Sequence, residues 1–329
     1  MLARKSLIAV AVMAALSGTA FADNSSVTSN QNGSYNKVIA TQSTADGSHL
    51  AIDQQGNGNS AGLKGLAISQ TATASNLNIT QHGDKNTAIG AQRGNNNSGV
   101  VEQTGSGTQS AALLQGGSFN TARIGQDNNR NSTAAVIQAP HGGNNDSATI
   151  AQTRSNDAQA VVLQTGSDSN AGINQQYSDH ATASVAQFGN NSNASLTQDH
   201  ADRSATTVLQ FGSNLTANTQ QTWANNSDLS ISQSGGFNTV SANQQNGSHL
   251  EADIAQGANN NLAYSTQSGA YNEETLLQSG ANNFASITQT GQGKGYAANQ
   301  VNLSQGGNFL SATVTQTGGA GNTATISQR

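Results

Sequence analysis

The sequence predicts an all-β fold, a β-solenoid with two strands per coil and about 13 stacked coils of 22–23 residues, able to extend as a cross-β, amyloid-forming polymer. Three observations predict it. Gln recurs mostly on a period of 11 or 12 residues, most of these Gln close an Ala-x-aliphatic-x-Gln-like run, and the runs are followed by clusters rich in Gly, Asn and Ser.

The period comes first. Gln stands at 31, 42, 54, 70, 81, 92, 103, 115, 126, 138, 152, 164, 175, 187, 198, 210, 221, 233, 244, 256, 267, 278, 289, 305, 316 and 328, and 22 of the 25 intervals are 11 or 12 residues. The longer intervals, 54 to 70, 138 to 152 and 289 to 305, read as insertions, two of them around Pro140 and Lys294.

The strand comes next. Two residues before the Gln stands an aliphatic residue, as at Ile79, Val185, Ile231 and Ile287, and four before it often an Ala, as at Ala88. Alternate positions point to one face of an extended chain, so these residues line the seam of a short, half-buried strand. A helix of three turns also fits an 11-residue period, but it would need long charged faces, and only 9% of the residues are charged.

The corner follows. Two residues after the Gln lies a Gly at Gly83, Gly94, Gly189, Gly212, Gly235 and Gly280, with Asn or Ser further on, as at Asn86 and Asn238. Gly admits positive φ and Asn closes turns through its own side chain. At successive corners Gly166, Gly189, Gly212 and Gly235 alternate with Arg154, Tyr177, His200, Trp223 and Asn246, so the full repeat holds two strands.

Composition agrees with a thin, repeated core. Among 329 residues, 34 Gln and 41 Asn stand beside 36 Gly, one Pro and no Cys. Large aliphatic residues are too sparse for a two-layer enzyme fold. Stacked coils resolve the difficulty: each buried amide donates to the next, which places 26 of the 34 Gln on one ladder, led by Gln81, Gln92, Gln103, Gln187, Gln198, Gln210, Gln233, Gln278, Gln289 and Gln316. Gln109 and Gln159 fall off the ladder. Ladder residues Gln31 and Gln328 leave little room for capping structure, and open strand edges recruit further chains.

Residues 1–22 read as a secretory signal peptide, with Arg4 and Lys5 before the apolar stretch Ser6 to Gly18 and Ala20-Phe21-Ala22 before Asp23. A short segment, 23–30, precedes the solenoid at 31–329. The expectation is a secreted product without a later membrane span and with no need of a cofactor.

The pattern S-x5-Q-x-G-x2-N-x-A-x3-Q is met at Ser75, Gln81, Gly83, Asn86, Ala88 and Gln92, and nearly so at Ser227, Gln233, Gly235, Asn238 and Gln244, with Val240 for Ala. In this the chain resembles the curlin repeat. The resemblance implies a subunit, major or nucleator in type, of extracellular curli fibres that serve adhesion and biofilm. It also implies as partners further copies of itself, a second curlin-type subunit, an outer-membrane curli export pore, and host or abiotic surfaces. The family's Gly-rich export segment has no counterpart in Asp23 to Asn30.

Other functions find less support. His49, His82, His141, His180, His200 and His249 lie at unrelated offsets and read as polar turn residues rather than metal ligands. A net negative charge without a basic stripe disfavours nucleic acid. Outward Thr pairs such as Thr313 and Thr315 do not recur, since Leu114, Leu163, Asp53 and Glu102 hold the same sites elsewhere, which argues against an ice-binding array. Tyr177, Phe188 and Trp223 read as isolated exposed aromatics. The main alternative is a monomeric secreted β-solenoid adhesin that does not polymerise.

Overall fold

The computed structural model describes residues 24–43, 45–138, 143–293 and 297–329. The expected signal peptide, His141, Pro140 and Lys294 lie outside the described residues. The described chain is all strand and turn, coiled into a two-faced solenoid of about 13 coils that rises roughly 60 Å at ~4.8 Å per coil.

Strands alternate between two parallel sheets. The first contains Ser26–Asn32, His49–Gln55, Asn76–His82, Ser98–Thr104, Thr121–Asp127 and their successors to Ser311–Thr317. The second contains Ala40–Gln42, Ile68–Thr73, Thr87–Asn95, Ser110–Gln115, Thr133–Gln138, Gln159–Gln164 and their successors to Thr323–Gln328. Each strand pairs with the strand one full coil away, so Val101 lies over Ile79 and Ile124 over Val101. Register is kept because a one-residue slip would turn the whole aliphatic set outward.

The core is a single narrow layer between the sheets. Ile79, Ala88, Val185, Ile231 and Ile287 are all buried there, Val185 below Val208 and Ile231 in the second sheet. Neither sheet could bury this face alone. Stability is therefore a property of neighbouring coils, as in other solenoids.

The first insertion leaves the stack undisturbed. Ser60–Ala61 and Ile68–Thr73 are two halves of one rung: Ala61 pairs with Val38 and Ile68 with Ala40. The residues between them leave as a small loop closed by paired bonds of Leu63 and Leu66.

Candidate functional site

The polar residues between the sheets form the most ordered feature of the molecule. Sequence reasoning places the Gln on one ladder, whereas the fold builds two, because successive Gln belong to opposite sheets. The first runs from Gln31 through Gln54, Gln81, Gln103, Gln126, Gln152, Gln175, Gln198, Gln221, Gln244, Gln267 and Gln289 to Gln316. The second runs from Gln42 through Gln70, Gln92, Gln115, Gln138, Gln164, Gln187, Gln210, Gln233, Gln256, Gln278 and Gln305 to Gln328.

Both ladders are polar in the same sense. In every step Nε2 of the earlier Gln donates to Oε1 of the later one, as from Gln81 to Gln103 at 2.8 Å and from Gln187 to Gln210 at 2.9 Å. The second amide proton crosses to the facing sheet, as from Gln103 to the Thr87 carbonyl at 3.0 Å and from Gln198 to that of Thr182 at 3.1 Å. Each side chain thus ties its coil both to the next coil and to the opposite sheet. Gln81, Gln92, Gln103, Gln187, Gln198, Gln210, Gln233, Gln278 and Gln289 are buried. Gln316, in the last coil of the first ladder, is only half-buried.

The first and last described coils carry complementary halves of one bond. At Gln31 and Gln42, the first rungs, Oε1 receives no donor among the described residues, while Nε2 is engaged. At Gln316 and Gln328, the last rungs, Nε2 donates to the carbonyls of Gln300 and Ser311, and its other proton has no acceptor among the described residues.

The corners stack as tightly as the strands. A Cβ on Gly83 would stand 2.1 Å from the Gly105 carbonyl oxygen, and on Gly94 1.8 Å from that of Gly117. The same approach holds at Gly189, Gly212, Gly235 and Gly280, against Gly212, Gly235, Ala258 and Gly307. Gly is required there by the coil above, a reason that local turn chemistry does not supply. Asn238 fills such a corner, donating to the carbonyls of Ser234 at 2.7 Å and Ala258 at 2.9 Å and accepting from the Asn261 N–H at 2.9 Å. Asn86 donates to the Gly105 carbonyl at 3.1 Å.

Gln109 occupies the same corner column rather than an inert surface site. It is fully buried and donates to the carbonyls of Thr104 and Asn129. The sequence period shows only that it misses the ladder; its burial comes from replacing the corner Asn. Gln159 is exposed at the start of its strand.

The first-sheet corners that follow Gln152, Gln175, Gln198 and Gln221 carry bulky residues with φ near 50° at Arg154, Tyr177, His200 and Trp223. These residues are a stack rather than isolated. Arg154 lies over the Tyr177 ring and donates to its hydroxyl. Tyr177 and His200 stack at 4.9 Å between ring centroids, and His200 and Trp223 at 3.9 Å. Phe188 likewise stacks on Phe211 at 4.7 Å. The signal was present as aromatic residues 23 positions apart, one full coil.

Two buried acids escape the repeat pattern. Asp146 sits in the Asn corner column, where it accepts from Ser169 N–H at 3.0 Å while Oδ2 has no partner. Burial raises its pKa to about 6, against the lowering bond from Ser169 and with a smaller rise from Asp168. Glu274 lies in the core between Ala252 and Val301, with Ser265 Oγ donating to it at 2.5 Å. Burial raises its pKa to about 8, the Ser265 bond opposing the shift.

The described residues contain no group of His, Asp and Glu able to hold a metal ion. No helix among them is long and apolar enough to cross a membrane. Their one organised polar system is the stack of ladders and corners.

The profile of the Curlin associated repeat matches residues 72–105 and 297–329. The first stretch covers Gln81, Gly83, Asn86, Ala88, Gln92 and Gln103; the second covers the last ladder rungs, Gln305, Gln316 and Gln328. The chain thus carries curlin-associated repeats in these two stretches. No curated protein matches it.

Proposed function

We propose that this curlin-repeat chain is a structural subunit of an extracellular curli-like amyloid fibre, growing end to end and supporting cell adhesion and biofilm matrix. The repeat family is structural rather than catalytic and is associated with extracellular curli fibres. The observation that carries the reading is the polarity of the ladders. One end offers the amide oxygens of Gln31 and Gln42, the other the amide protons of Gln316 and Gln328. Apposing the first and last described coils of two molecules repeats the bond made between successive coils, and it sets strand edge against strand edge.

In this reading the molecule acts by stacking, and its chemistry is the satisfaction of amides. A curli export pore and a second curlin-type subunit are the partners the role calls for, with abiotic or host surfaces as the final contact. The direct test is growth after dilution from denaturant. The fibre reading expects a lag, then thioflavin-binding fibres with a cross-β reflection near about 4.7–4.8 Å. A β-rich monomer that persists at micromolar concentration would instead identify a non-polymerising adhesin.

A further inference from the structure

The outward surfaces of the two sheets differ in kind. On the second sheet, Ala91, Leu114, Ile137, Leu163, Ala186 and Leu209 lie over one another in one unbroken column. Beside it runs Ile89, Ala112, Ala135 and Val161, followed by Ser184 and Thr207. Leu114 is 41% exposed, Val161 38% and the adjoining Phe211 46%. The matching column of the first sheet reads Glu102, Gly125, Ala151, Asn174, Thr197 and Gln220. The apolar strip is therefore a property of one face, not of the repeat.

We propose that this strip is a lateral interface with a second copy of the chain, the two solenoids lying side by side with their second sheets face to face. Three features of the surface favour this occupant. The first is shape: a two-fold axis parallel to the rod sets each column against the other column of the mate. Ile89 then faces Ala91, Ala112 faces Leu114, and Ala135 faces Ile137. In these three coils a large side chain meets a small one, which lets two flat sheets interlock at the usual spacing of roughly 10 Å.

The second feature is area. Six strands at ~4.8 Å and about five residues at ~3.3 Å give a footprint of about 400–500 Å² per copy. A pair removes about 800–1,000 Å², short of the roughly 1,200–2,000 Å² of a stable free complex. Two lone chains thus pair weakly. In a stacked filament the strip recurs once per subunit, and the repeats act together; this stronger form rests on the fibre reading. The third feature is charge. Across the outward positions of these six strands, 87 to 93 through 205 to 211, Arg93 is the single ionised side chain among the described residues, so nothing repels a like surface.

The chain has no Cys, so one introduced thiol reports pairing. Leu163→Cys in the full chain, treated with a short bis-maleimide, is expected to give covalent dimers, and Thr197→Cys on the first sheet none. End-to-end stacking cannot produce these dimers, because equivalent residues then lie a whole solenoid apart. Leu114→Lys with Leu163→Lys, both pointing outward, should abolish the pairing and halve filament width while thioflavin-positive growth continues. Fibres that grow without Leu163→Cys dimers would overturn the lateral interface and leave the fibre reading intact. Dimers without fibres would do the reverse. Protection of the thiol in the Leu163→Cys variant by phosphatidylcholine vesicles, with no dimers, would assign the strip to lipid and overturn the proposal.

Discussion

Gln138 Nε2 donates to Gln164 Oε1 at 3.0 Å although 26 residues separate them, where most coils use 23. The parallel ladder crosses the same point from Gln126 to Gln152 at 2.8 Å. Near the other late insertion, Gln278 reaches Gln305 at 2.9 Å and Gln289 reaches Gln316 at 3.1 Å. The rod is continuous because the ladders, not the corner lengths, set the coil.

A ladder Gln is therefore expected to be far less replaceable than a surface one. Gln187→Leu removes the acceptor of Gln164 and the donor to Gln210, both buried. Leaving them unpartnered costs about 2–4 kcal/mol, whereas Gln159→Leu should change stability by less than about 0.5 kcal/mol. Urea midpoints of the freshly diluted soluble chain compare them. Equal midpoints would remove the amide ladder from the account of stability.

The corner glycines should show the same dependence on the coil above. Gly212 has φ +137° and its added Cβ would stand 1.9 Å from the Gly235 carbonyl oxygen. Gly172, on the outer face of a strand, has nothing within 4 Å of such an atom. Gly212→Ala is expected to cost about 2–4 kcal/mol from strain and overpacking together. Gly172→Ala should be close to neutral by the same urea titration.

Stability should fall as pH rises, through the two buried acids. Their folded pKa values, about 6 for Asp146 and about 8 for Glu274, lie above the ordinary 3.8 and 4.5. The folded chain keeps a proton that the unfolded chain has released, so the stabilising preference is full at low pH and is lost as each folded pKa is approached. The slope is about 1.4 kcal/mol per pH unit for one such group. It spans pH 3.8 to about 6 for Asp146 and 4.5 to about 8 for Glu274. Asp146→Asn with Glu274→Gln should flatten the urea midpoint over that range. Asp146→Asn also restores the corner donor that Asn238 provides in its own coil.

The aromatic column makes a finer prediction. Trp223 combines a ring stacked on His200 with a backbone at φ 52°. Trp223→Ala loses the stack and keeps the strained backbone, a cost of about 0.5–1.5 kcal/mol. Trp223→Gly also relieves the left-handed conformation, worth about 1 kcal/mol. The glycine variant should be the more stable of the two in urea, the reverse of the order in an ordinary strand.

Most of this architecture is legible in the sequence because the Gln period and the alternation of Ile79 or Val185 with outward residues are local signals. The number of ladders is less direct: Gln81 and Gln92 look equivalent along the chain, and their separation onto opposite sheets appears only when the corner between them is built. Gln109 shows the same limit, since its burial follows from the Asn column it joins. Asp146 and Glu274 are hidden for a further reason. Each replaces a residue of another type at a repeat position, and a repeat pattern records agreement rather than exception.

The central claim is that the ladders continue from molecule to molecule, in one direction. Gln316→Glu with Gln328→Glu replaces the outgoing amide donors by carboxylates and leaves Gln31 and Gln42 untouched. Seeded growth measures the effect: wild-type seeds are offered wild-type chain, variant chain, or a mixture. The account predicts that the variant adds through its intact first coil and then blocks the filament, so that a small proportion halts wild-type elongation and the variant alone forms no fibres. Elongation of the variant at the wild-type rate would contradict it.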